Sequence, residues 1–148
     1  VVDVPHLDRP LLGEDAGVAE AAEVSGSASK KRPVHRVTGA GDSGWVVNPL
    51  GAEQQIQGSV MDGLSTMLGQ RITMENGAVQ QQNFGDYPLM RIGSAPKVDV
   101  HMLVTDYSPT GVGEPALPPL APAVCNAIFA ATGVRIRELP LSQAGYTA

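Results

Sequence analysis

Apolar residues at Ile56, Val60, Leu64, Met67 and Leu68 recur every three or four positions, the spacing of one helix face. Asn48-Pro49 stands just ahead of them. Asn caps free N–H groups and Pro fits the first helical position, so the pattern predicts a helix opening there. Gly58, Gly63 and Gly69 interrupt it. Each is unfavourable by roughly 1 kcal/mol relative to Ala, which predicts close packing of a neighbour at each. Leu120, Val124, Ile128 and Ala131 predict a second helix, stopping near Gly133.

The remaining pattern has the period of strands. Val98, Val100, Met102 and Val104 alternate with Asp99, His101 and Leu103, predicting a strand with one buried face and a solvated His101. Val18–Val24 and Val34–Thr38 read as short strands, Gly39–Gly44 as a small-residue turn, and Arg135–Leu139 as a last strand. Arg71–Met74 and Ala78–Gln82 flank Glu75-Asn76-Gly77, and Asn-Gly favours a hairpin turn. Two helices and mixed strands give an α+β class. Val1–Gly17 shows no period and reads as an extended arm, and Ser25–Pro33 as a polar loop.

Composition narrows the classes. At 148 residues the chain has room for one core, and 43% hydrophobic with 17% charged residues fits a globular chain. Aromatics are only 4%, beside 17 glycines, so the core rests on aliphatic side chains and close backbone approaches. A net charge of −5 argues against a nucleic-acid surface, and Lys30-Lys31-Arg32 reads as a solvated turn. No apolar run is long enough to cross a bilayer. The single cysteine, Cys125, lies in an apolar run and reads as a small core residue rather than a catalytic thiol. One cysteine cannot hold an iron–sulfur cluster. The chain opens on Val1 without an initiator Met, which suggests processing, a boundary in a longer chain, or the first ordered residue of a larger subunit.

The candidate chemistry centres on Gly111-Val112-Gly113-Glu114-Pro115. Gly113 lets another group approach the backbone, and Pro115 biases Glu114 towards an extended conformation. That makes Glu114 a candidate general base in a pocket formed with something else. A carboxylate base works best with its pKa near the working pH, which partial burial brings about. Asp86, between Gly85 and Tyr87, reads as a turn former.

Four segments then occur in order: Gly41-Asp42-Ser43-Gly44-Trp45 through Asn48-Pro49; Gln55-Ile56-Gln57-Gly58 with Asp62-Gly63-Leu64; Asn83-Phe84-Gly85-Asp86-Tyr87; and Gly111–Pro115 with Pro118–Ala131, running on to Pro140. From Val34 to Pro140 this series resembles the C-terminal part of the molybdenum-binding large subunit of the xanthine dehydrogenase/aldehyde oxidase family, nearest the isoquinoline 1-oxidoreductase beta-subunit type. The resemblance divides the chain into an arm and strand (1–33) that match poorly, the C-terminal part of a molybdenum-cofactor-binding domain (34–140) and a tail (141–148).

The resemblance implies that Glu114 is the active-site glutamate, that the Gly113 backbone lies beside the metal's ligands, and that Gln55 bonds the pterin. No metal ligand is implied in this chain. Gln57 and Asp62 stand where many members have Glu and Gln, and Ser43 where members have Cys or Val. The implied cofactor is a molybdenum–pterin, in the molybdopterin cytosine dinucleotide form, shared with other polypeptide segments. The implied activity is oxidation of an N-heteroaromatic compound or an aldehyde with oxygen from water. Its implied partners are the remainder of the large subunit, a small subunit carrying 2Fe–2S clusters, and a cytochrome or other electron acceptor. The resemblance implies a soluble bacterial enzyme, of periplasm or cytoplasm. The competing reading is a non-catalytic structural or assembly domain that has kept the fold.

Overall fold

The computed structural model describes residues 17–25 and 33–146. The arm 1–16 and the basic run Lys30-Lys31-Arg32 lie outside them. Three strands form one sheet in the order β1 (Gly17–Val24), β2 (Val34–Asp42), β3 (Lys97–Met102). β1 runs antiparallel to β2 with Glu20 opposite Gly39, and β3 runs parallel to β2 with Val100 opposite Gly39. Helices α1 (Pro49–Leu68) and α2 (Leu117–Thr132) pack together and cover one face of this sheet. The arrangement is the α+β class expected.

The helices follow their sequence signals. The Asn48 side chain accepts the Gly51 N–H at 3.1 Å, and Pro49 follows it. Ile56, Val60, Leu64 and Met67 are buried; the last three share one core with Leu120, Val124 and Ile128 from α2, while Ile56 lies over Gly39 and Gly41 of the sheet. Gly133 ends α2 in the left-handed region, with φ 73°, and its N–H donates to Phe129 O at 2.7 Å. Gly63 is the true close approach of α1: a Cβ there would stand 2.8 Å from Leu120 Cδ2. Leu120 is fully buried. Leu120→Ala is expected to destabilise the protein by about 2–5 kcal/mol, read as a lower denaturation midpoint.

Several expectations need correction. Gly39–Gly44 is not a turn throughout, because β2 continues to Asp42. The glycines sit inside the strand beneath α1, and a Cβ on Gly41 would make ordinary contact with Ile56 Cδ1 at 3.5 Å. The turn is confined to Gly44, at φ 71°, where a Cβ would strike Ser108 O at 2.4 Å. Arg135–Leu139 forms no strand. Side chains fix this segment instead: Arg135 stacks on the Phe129 ring at 3.6 Å and donates to Asn126, while Ile136 packs on the core. Val104 is 95% exposed, since β3 stops at Met102. Residues 103–110 run beside 41–45 instead, with Leu103 N–H on Gly41 O and Thr110 N–H on Ser43 O. Ala131 is exposed.

The Asn76-Gly77 turn forms as expected, with both residues at positive φ, between strands of only two residues, Met74–Glu75 and Ala78–Val79. Leu141 and Tyr146 are buried, so the segment 141–146 is anchored in the core at both ends while 142–145 stay exposed. Cys125 packs partly buried against that core, and burial pushes its thiol above the ordinary value, which keeps it protonated and unreactive. His101 is exposed.

Candidate functional site

The two helices bring the three expected site residues into one cleft. Gln55 lies in the second turn of α1, and Gly58, Ser59 and Asp62 follow on the same face at helical spacing. Gly113, Glu114, Leu117 and Pro118 come from the lead-in and first turn of α2. Together these residues line an open cleft of about 460 Å³. Ser59 locks the halves together: its hydroxyl donates to Gly113 O at 2.6 Å. Glu114 O in turn accepts the Leu117 N–H at 3.0 Å, which fixes the turn into α2.

The cleft is acidic. Asp62 and Glu114 are its two ionisable residues, and no ion pair is made to either among the described residues. The Glu114 residue is exposed, so this chain does not itself supply the partial burial expected for a general base. Among the described residues, no three His, Cys, Asp or Glu side chains are arranged to hold a metal ion.

The glycines of the cleft carry the most information. A Cβ on Gly58 would meet no atom within 4 Å, and the same holds for Gly111 and Gly113. The neighbour expected to pack at Gly58 is not found among the described residues. At Gly69, the end of α1, a Cβ would come within 3.3 Å of Pro88. A glycine inside a helix costs about 1 kcal/mol against alanine, and no contact among the described residues offsets that cost at Gly58. The space beside Gly58 and Gly113 is suited to a group from outside the chain that approaches the backbone closely.

Residues 19–96 match the sequence model of the molybdopterin cofactor-binding domain family, more than half of the chain. The chain belongs to this family. The match begins inside β1, before the point at which the sequence resemblance starts. One relative, a component of the nicotinate dehydrogenase of Pseudomonas putida, is 40% identical over 131 residues, covering 85% of this chain and 11% of that protein. Another, the beta chain of the isoquinoline 1-oxidoreductase of Brevundimonas diminuta, is 36% identical, covering 88% of this chain and 17% of that protein. The solved aldehyde oxidoreductase of Desulfovibrio gigas shares the fold with a TM-score of 0.63 and 29% identity, covering 76% of this chain and 13% of its own. The chain thus spans between about a tenth and a sixth of the length of these relatives.

Within this molybdopterin cofactor-binding domain, two cleft residues escaped the sequence reading. Ser59 had a local signal, since it lies one turn from Gln55 on the same helix face. Its partner Gly113 is 54 residues away, and no local pattern connects the two. Asp62 also lines the cleft, although the sequence marked it only as a departure from the family's usual residue. No helix among the described residues is long and apolar enough to cross a membrane.

Proposed function

We propose that this chain forms one wall of the active site of a molybdenum hydroxylase that oxidises an N-heteroaromatic compound or an aldehyde. One observation carries the reading: Gln55, Gly58, Gly113 and Glu114 line a single cleft whose glycines have no packing reason among the described residues. The cleft fits a molybdenum–pterin group. It offers an amide with both donor and acceptor, an open backbone at Gly113, and a carboxylate with no ion-pair partner. The relatives named for nicotinate and isoquinoline support an N-heteroaromatic substrate, and the one named for an aldehyde supports the other class.

When bound, the cofactor supplies the two-electron oxidation, with oxygen drawn from water. The chain's own residues position and move protons. Gln55 hydrogen-bonds the polar edge of the pterin. Gly113 presents its backbone without a side chain in the way. A Glu114 Oε accepts the proton lost from the attacking water-derived oxygen, and later returns it to solvent. Ser59 holds Gly113 and so sets the distance from Gln55 to Glu114. Closure of the cleft by the remaining large-subunit polypeptide excludes water from the reacting atoms. The cytosine dinucleotide form, a small subunit with 2Fe–2S clusters, and an electron acceptor beyond it complete the proposal. The soluble compartment, periplasm or cytoplasm, belongs to that whole enzyme.

Molybdenum and pterin analysis of the purified complete assembly tests the reading. Stoichiometric molybdenum and pterin support it, and their absence favours the structural-domain alternative. Gln55→Ala is expected to speed cofactor loss by about tenfold, since one hydrogen bond to a buried ligand contributes on the order of 1 kcal/mol. Molybdenum content followed through extensive dialysis checks this, and unchanged retention would contradict the role.

A further inference from the structure

The cleft does not use one buried acid. Glu20 lies on β1 and points into the layer between sheet and helices, with both carboxyl oxygens shut off from solvent and without a hydrogen-bond partner. Its neighbours are apolar or bare backbone. It stands opposite Gly39, where a Cβ would lie 3.7 Å from Glu20 Oε1 and 3.7 Å from Ile56 Cγ2. The carboxyl group thus lies over the Gly39 backbone, beside Ile56.

No described charge faces it. β2 presents Val37, Gly39 and Gly41 on the shared face, and Arg36 lies on the opposite face, bonded to Asp99. β3 contributes Val98, Val100 and Met102 to this side, with Lys97, Asp99 and His101 on the other. Along α2 the only titratable side chain is Cys125. On α1, Ile56 faces Glu20, while Glu53 accepts from Gln57 and Asp62 lines the cleft. Glu23 alternates to the outer face of β1.

We propose that Glu20 is a proton-linked clasp: protonated, it lets β1 close the edge of the sheet against the helices, and ionised, it releases that strand. Geometry supplies the reason. An ionised carboxylate without a partner in an apolar layer is strongly disfavoured, and among the described residues β1 is an edge strand paired only with β2. Release of that strand brings water to the charge. Burial raises the Glu20 carboxyl from its ordinary 4.5 to about 7. An unfolded or detached β1 ionises near 4.5, so the closed form is fully stable below that pH and loses stability as pH rises towards about 7. The strand packs directly on α2, whose lead-in carries Glu114, so the clasp acts on the flank of the helix that positions the cleft.

Hydrogen–deuterium exchange of the 17–24 amides in the complete assembled enzyme tests this between pH 5.5 and 8.5, after correction for intrinsic exchange. The expected result is a loss of protection of tenfold or more in the wild-type enzyme, with flat protection in Glu20→Gln, which keeps the shape of the neutral acid. Glu20→Met, neutral and of similar length, serves if Glu20→Gln does not assemble. Flat wild-type protection overturns the proposal, and that includes the case in which a cation from the remainder of the enzyme pairs with Glu20. An equal loss in wild type and variant also overturns it, since another group would then be titrating.

Discussion

Glu114→Gln is expected to lower kcat by about a hundredfold or more in the complete enzyme, with molybdenum content and assembly unchanged. The magnitude is that of losing a positioned general base. The amide keeps the shape of the carboxylate but cannot take up a proton. Folding should not respond, because Glu114 is exposed and its structural contact is made by its backbone, Glu114 O to the Leu117 N–H. The measurement pairs steady-state kinetics with metal analysis of the same sample. Near-normal kcat at full molybdenum occupancy would remove Glu114 from the mechanism and leave the cleft as a binding wall only.

Gly58→Leu is expected to separate folding from cofactor loading even more sharply. In this chain the new side chain projects into open space, and leucine is a better helix former than glycine by most of 1 kcal/mol. By helix propensity alone, α1 should gain stability. If a cofactor occupies the cleft, the same side chain stands where that group must approach the backbone. Molybdenum loading should fall to a tenth or less, while the denaturation midpoint of the cofactor-free protein holds or rises. Gly63→Leu is the contrasting control: it drives into Leu120 and should destabilise the fold itself. Full molybdenum loading in Gly58→Leu would show that nothing closely approaches this face of α1.

The helices were readable because their signals are local. The Asn48-Pro49 start, the 56–60–64–67 stripe and the Gly133 stop each act within a turn or two of chain, and α1 and α2 appear where these place them. The sheet was less readable. Gly39 and Gly41 look like turn residues until β1 and β3 are seen paired on either side of them, so their meaning depends on contacts with distant strands. Arg135–Leu139 failed in the opposite sense: its alternation is real, but Arg135 is held by Phe129 and Asn126 rather than by a neighbouring strand. In the candidate site, Gln55, Gly113 and Glu114 were found through a resemblance of motifs. Their meeting in one cleft required the helix-to-helix packing, which no residue pattern spells out. Glu20 was invisible, since an acid in an alternating strand ordinarily faces water, and only the sheet register shows which way it turns.

The hydrogen bond from Ser59 to Gly113 O makes α1 the ruler of the cleft. Gln55 and the anchor of the Glu114 turn are mounted four residues apart on one rigid rod, about 6 Å along its axis. If the sheet beneath α1 flexes, both are carried together, and their separation is preserved. The Asn76-Gly77 hairpin, between α1 and β3, is outside this linkage. Insertions and substitutions there can reshape whatever wall faces a substrate without altering the spacing of amide and acid. Under the proposed function, a lineage built on this segment is free to change its substrate wall while leaving the alignment of Gln55 and Glu114 untouched.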